Sequence, residues 1–101
     1  YAFLATLEEV IEADALFHVV DASHHAWQDH IHSVMGLLSK MPVAPGPILL
    51  VFNKLDQADT DALELAKEEY PQAVFVSTLK NLGMGTLRQK ILQLVDYATV
   101  G

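Results

Sequence analysis

Unbroken apolar runs alternate with segments whose apolar residues recur at helical spacing, and nothing else in the 101 residues constrains the fold as strongly. "ALFHVVDAS" and "ILLVFN" have the look of strands covered on both faces, and "AVFVS" is a shorter third. Around them, Leu4, Leu7 and Ile11, then Trp27, Ile31, Val34, Met35 and Leu38, then Leu87, Ile91, Leu94, Val95 and Ala98 form apolar stripes that predict helices. A further helix is expected from a cap at Asp59 or Thr60 through Tyr70, with Pro71 as its stop. Strands that alternate with helices of this length join as parallel neighbours through right-handed crossovers. The expectation is an α/β fold: a three-layer parallel sheet with flanking helices. "MPVAPGP", residues 41–47, reads as a helix-to-strand connection too short to divide domains.

Parallel sheets bind ligands outside the carboxyl ends of their strands. Those ends carry Asp21 and Ser23, then Asn53 to Asp56, then Ser77 to Leu79. Composition narrows what the ligand can be. A formal charge of −7, from six Lys and Arg against thirteen Asp and Glu, works against direct nucleic-acid binding, where neutralising phosphates dominates affinity. The acidic residues are dispersed and read as a solvated face. Without cysteine there is no disulfide framework, thiolate zinc site or cysteine nucleophile, and a reducing cytoplasm fits. No apolar run reaches the roughly 18 to 20 residues of a bilayer span, and no secretion signal opens the sequence, so a cytoplasmic protein is expected.

Two other chemistries are weighed and set aside. In "HHAWQDHIH", His25 and Asp29 stand at i and i+4, but His30 faces elsewhere, so solvated helix histidines after a Ser23 cap are expected and no metal ligand is assigned. His18 is expected to be a buried strand residue with a hydrogen-bond partner. Ser23, Ser33, Ser39 and Ser77 lack a nucleophile elbow or an assignable His and Asp pair, so no catalytic residue is assigned. Trp27, Met35 and Leu38 are expected in the core.

Asn53, Lys54 and Asp56 spell N-K-x-D at the end of an expected strand. A carboxylate at Asp56 offers two acceptors to the N1 and N2 donors of guanine, a bidentate charge-assisted pairing that adenine cannot supply. Asn53 can steady the loop and reach the base edge, and the aliphatic stem of Lys54 can lie along the purine face. One strand later, "VSTLKNLGMGTL" resembles the S-A-K element of GTP-binding domains, in which a Ser braces the preceding Asp and backbone N–H groups meet guanine O6. Ser77 matches; Thr78 stands where Ala is usual and Leu79 where Lys is usual. A backbone donor survives either change, and Leu79 can cover the base by apolar contact.

"ATLEEVIEADALFHVVDASHHAW", residues 5–27, resembles the HflX family of GTPases, where a T-L-E-E-V helix leads to an H-V-V-D-A-S strand end and then to an N-K-x-D strand. With the terminal "LGMGTLRQKILQLVDYA" the resemblance covers nearly the whole chain. It implies a Ras-like P-loop GTPase domain that binds GTP or GDP with Mg2+, joined to an amino-terminal domain, and a ribosome-associated protein acting on the large ribosomal subunit in splitting or rescue. Asn53, Lys54, Asp56, Ser77, Thr78 and Leu79 are the nucleotide-binding residues so implied.

None of the five glycines begins a G-x-x-x-x-G-K-[ST] phosphate cradle, and there is no D-x-x-G or switch Thr, so the base-reading half of the site stands without its phosphate half and without the magnesium ligands. Residues 2–11 are helical in pattern with no convincing cap upstream; Thr6 and Glu9 could form a capping box only by removing Phe3 and Leu4 from the stripe. Residues 1–101 are therefore expected to be the carboxyl-terminal part of a GTPase domain in a larger protein, unable to hydrolyse GTP alone. The alternatives are a GTPase family serving tRNA modification or ribosome assembly, and a catalytically inert α/β interaction domain.

Overall fold

The computed structural model describes residues 16–41 and 47–100. The expected first helix with Leu4, Leu7 and Ile11, the Thr6 and Glu9 box, and most of the Pro-rich connection lie outside the described residues. Three strands form one parallel sheet: β1 (Leu16–Asp21), β2 (Ile48–Asn53) and β3 (Val74–Phe75), in the order β1-β2-β3. Helix α1 (Trp27–Ser39) links β1 to β2, α2 (Thr60–Glu69) links β2 to β3, and α3 (Met84–Val100) follows. This is the α/β fold that the alternating pattern requires.

Both faces of the sheet are covered at β2 and β3, which is why those runs are apolar without interruption, whereas Phe17 and Val19 of β1 are exposed. On one face Val20 and Phe52 meet Trp27 and Ile31 of α1 and Ala66 of α2. Phe52 is fully buried there, edge-on to Trp27 at 5.4 Å between ring centroids and stacked on Phe75 at 4.9 Å. On the other face Leu49, Val51, Val74 and Val76 pack under Met84, Leu87 and Leu94 of α3. Successive residues of β2 thus serve opposite layers, as the period of two demands. Among the described residues, no helix is long and apolar enough to cross a membrane.

Four expectations change in detail. Met35 is 45% exposed rather than core, because α1 packs through Trp27 and Ile31 and turns Met35 away; Leu38 is only half-buried. Ser23 does not cap α1: the helix begins after Ala26 with no side-chain cap, and Ser23 is bonded to Asp21 instead. The third strand is shorter than "AVFVS", since Ser77 leaves the sheet for an antiparallel bridge with Leu82. His18 is half-buried, and the desolvation of its ring lowers its pKa below the usual 6.5.

Candidate functional site

The in-register pairing of β1 with β2 aligns Asp21 with Asn53, and the ladder continues one bond further, from the Ala22 N–H to the Asn53 carbonyl (2.9 Å). On the other side the Val76 N–H donates to Phe52 O (2.8 Å) and the Leu55 N–H to Val76 O (3.0 Å). Parallel pairing therefore delivers all three strand ends to one edge of the sheet.

Between β2 and α2 the chain makes a single 3-10 turn, Leu55–Gln57, entered through Lys54 in the left-handed conformation (φ 64°, ψ 36°). A non-glycine residue there costs about 1 kcal/mol, so its surroundings must hold it. The Gln57 N–H donates to Lys54 O (2.9 Å), and the Lys54 ammonium reaches Asp21 Oδ2 (3.0 Å). The reversal of backbone hand lets consecutive residues face different partners: Asn53 and Asp56 engage the β3 side, Lys54 the β1 side.

On the β3 side, Ser77 is wholly buried, donates its hydroxyl to Asp56 Oδ1 (2.7 Å) and accepts the Lys80 N–H (3.1 Å). The Asn53 carboxamide accepts the Thr78 N–H on Oδ1 (3.2 Å), while its Nδ2 lies 3.5 Å from Thr78 Oγ1. Among the described residues, the second oxygen of Asp56 and the Leu79 N–H make no hydrogen bond within the chain. Leu79 is 76% exposed, an apolar side chain presented to solvent beside polar groups.

The loop after Ser77 is closed by two backbone bonds, Ser77 N–H to Leu82 O (3.0 Å) and Leu82 N–H to Ser77 O (2.9 Å). Its return depends on Gly83, at φ 73°, where an added Cβ would lie 2.2 Å from the Phe75 carbonyl oxygen. Glycine fits here for two reasons, the left-handed backbone and the missing methyl.

On the β1 side, Asp21 Oδ1 accepts both the Ser23 hydroxyl (2.6 Å) and the Ser23 N–H (2.9 Å), while Oδ2 takes Lys54. The Ser23 hydroxyl above all, opposed by desolvation and helped by Lys54 and the Ser23 N–H, holds the Asp21 carboxyl down to about 2, from an ordinary 3.8. Asp21 and Ser23 lie at a strand end that topology marks for function, but pattern reading gave them no part in the nucleotide site and made Ser23 only a helix cap. The missing signal was register: only the aligned pair Asp21 and Asn53 shows that Lys54 falls beside the carboxylate.

The six residues of the sequence reading, Asn53, Lys54, Asp56, Ser77, Thr78 and Leu79, are thus gathered at one edge, with Asp21 and Ser23 adjoining. Nearby in the chain, the His24 imidazole stacks on His25 at 4.6 Å between centroids and lies tilted against His30 at 4.7 Å. Among the described residues, no group of three or more His, Asp or Glu is placed to hold a metal ion. A cavity of about 910 Å3, bordered by Pro47, Tyr70, Gln72 and Lys90, lies at the opposite, amino-terminal ends of β2 and β3. It shares none of the eight residues.

No family model matches the chain. Among curated proteins it is similar to the GTPase HflX of Magnetococcus marinus, at 44% identity over 100 residues, 96% of this chain and 22% of that protein. It is 37% identical to the GTPase HflX of Flavobacterium psychrophilum over 92 residues, covering 88% of this chain and 22% of the relative. Against the GTPase HflX of Escherichia coli the identity is 32% over 94 residues, again 22% of the relative. The chain spans about a fifth of the length of the curated relatives it matches.

Proposed function

Because the chain belongs to the HflX family of GTPases, we propose that the edge formed by Asn53, Lys54, Asp56, Ser77, Thr78 and Leu79 binds the guanine base of GTP or GDP. The observation that carries this reading is Asp56: a buried Ser77 hydroxyl fixes one carboxylate oxygen while, among the described residues, the other has no hydrogen-bond partner. Two acceptors so held suit the N1 and N2 donors of guanine, and Ser77 prevents the carboxylate from rotating away. Asn53 clasps Thr78 and so fixes the spacing of the two loops; the Leu79 N–H is the donor left for guanine O6. The stem of Lys54 lies along one face of the base and Leu79 covers it by apolar contact.

In this proposal residues 1–101 are the base-reading, carboxyl-terminal portion of a Ras-like GTPase domain. The phosphate cradle and the Mg2+ ligands come from elements that this sequence does not contain, and magnesium, when bound, neutralises charge on the phosphates. Without those elements the segment alone positions no phosphoryl group and does not hydrolyse GTP. The whole protein would be a cytoplasmic GTPase acting on the large ribosomal subunit, a reading that rests on family resemblance.

The test is Asp56→Asn in the full-length protein. An amide replaces one acceptor by a donor that faces guanine N2, so GTP binding is expected to weaken by roughly 3 kcal/mol or more. Xanthine carries oxygen in place of N2, so XTP should gain what GTP loses. Paired nucleotide titrations on wild type and variant decide it: a variant that still prefers GTP over XTP rules out base reading by Asp56.

A further inference from the structure

We propose that Asp21 is a positioning residue for Lys54, so that the end of β1 takes part in holding the base; this deepens the guanine reading above and rests on it. Lys54 is half-exposed on a four-carbon stem, and such a side chain left unanchored samples many rotamers. Its ammonium is tied at 3.0 Å to a carboxylate whose two oxygens are both committed, one to Lys54 and the other to the Ser23 hydroxyl and N–H. Asp21 is thus fixed before it fixes anything else. Its oxygens are engaged within the chain, so its effect on a ligand passes through Lys54.

Three features make this more than a surface ion pair. The two residues lie 33 positions apart and meet because strand register aligns Asp21 with Asn53. Lys54 holds a left-handed backbone, which turns its side chain toward β1 while Asn53 and Asp56 face β3. The carboxyl stays ionised well below neutral pH, so the anchor keeps its charge under ordinary conditions. With the ammonium pinned at the β1 end, the aliphatic stem is the part of Lys54 left to meet the flat face of a purine, and ordering it before binding removes an entropic cost from the complex.

A role on the base face predicts a signature different from base-edge reading. IDP lacks only the N2 amine that Asp56 is proposed to read, so loss of Lys54 positioning should weaken GDP and IDP equally. GDP and IDP affinities are measured in the full-length protein for wild type, Asp21→Asn, Lys54→Met and the double variant, with thermal melts as the folding control. Asp21→Asn is expected to weaken both nucleotides by the same factor, roughly threefold to tenfold. In the Lys54→Met background, where the stem remains without its charge, it should add nothing. An equal loss with and without the ammonium overturns the proposal, as does unchanged binding by a folded Asp21→Asn protein. If Asp21→Asn does not melt cooperatively, Ser23→Ala takes its place: it keeps the charge, and a smaller loss shared by GDP and IDP is expected, no loss being the contrary result. Failure of Asp56→Asn to exchange GTP for XTP sinks the guanine reading itself, whereas a normal exchange with a silent Asp21→Asn sinks only the role of Asp21.

Discussion

The end of β2 is fastened to its two neighbours by different chemistry. Toward β3 the fastening is made of hydrogen bonds centred on a buried hydroxyl: Ser77 is sealed from solvent between Asp56 and the Lys80 N–H, and Asn53 clasps Thr78 at the exposed rim. Toward β1 it is an ion pair whose side chains are 49% and 34% exposed. Buried hydrogen bonds are costly to break and largely indifferent to salt, while exposed charge pairs are weak and screened. The difference implies a rigid joint on the side proposed to read the base edge and a softer, medium-sensitive joint on the side proposed to carry the base face.

The severest challenge to that contrast is Gly83→Ala. A methyl group 2.2 Å from the Phe75 carbonyl, on a left-handed backbone, forces the loop after Ser77 away from β3. A loss of roughly 2 to 4 kcal/mol is expected, seen as faster hydrogen exchange at the Leu82 amide. Unchanged exchange would mean that the β3 joint is less rigid than described.

Ser77→Ala probes the same joint more gently. It leaves Asp56 without its brace and the Lys80 N–H without its acceptor, and should cost about 1 to 3 kcal/mol in denaturant unfolding. The loss should be the same at low and high salt. A loss that shrinks with salt would erase the distinction between the joints.

The smallest effect belongs to the β1 side. Because the folded Asp21 carboxyl titrates at about 2 rather than 3.8, its contribution is fully present above the ordinary value and is lost as pH falls through about 2. Wild type and Asp21→Asn should therefore differ by less than about 1 kcal/mol at neutral pH, a gap that screening reduces further. Midpoints measured from pH 5 downward should converge by about pH 2. A constant gap over that range would show that the Asp21 charge contributes nothing.

The strands, their parallel order and the gathering of Asn53, Asp56 and Ser77 could be read from the chain because period and strand-end position are local signals. What escaped the reading depended on competition or on register. Ser23 resembles a helix cap, but Asp21 two residues earlier offers its hydroxyl and N–H a carboxylate, and that local turn wins. Met35 sits on a regular apolar stripe, yet a stripe does not say how much of a helix the sheet is wide enough to cover. The partnership of Lys54 with Asp21 is invisible in either segment alone, since it exists only once β1 and β2 are aligned.

Leu55, the unspecified letter between Lys54 and Asp56, has a meaning of its own. Its N–H donates to Val76 O, so the position is defined by its main chain rather than by its side chain. Many residue types can occupy it without changing what the loop does. Proline cannot: it would delete the donor and drive Lys54 out of its turn. The apparent freedom of that letter is freedom of spelling under a fixed grammar, with an exclusion that a pattern written as N-K-x-D does not record.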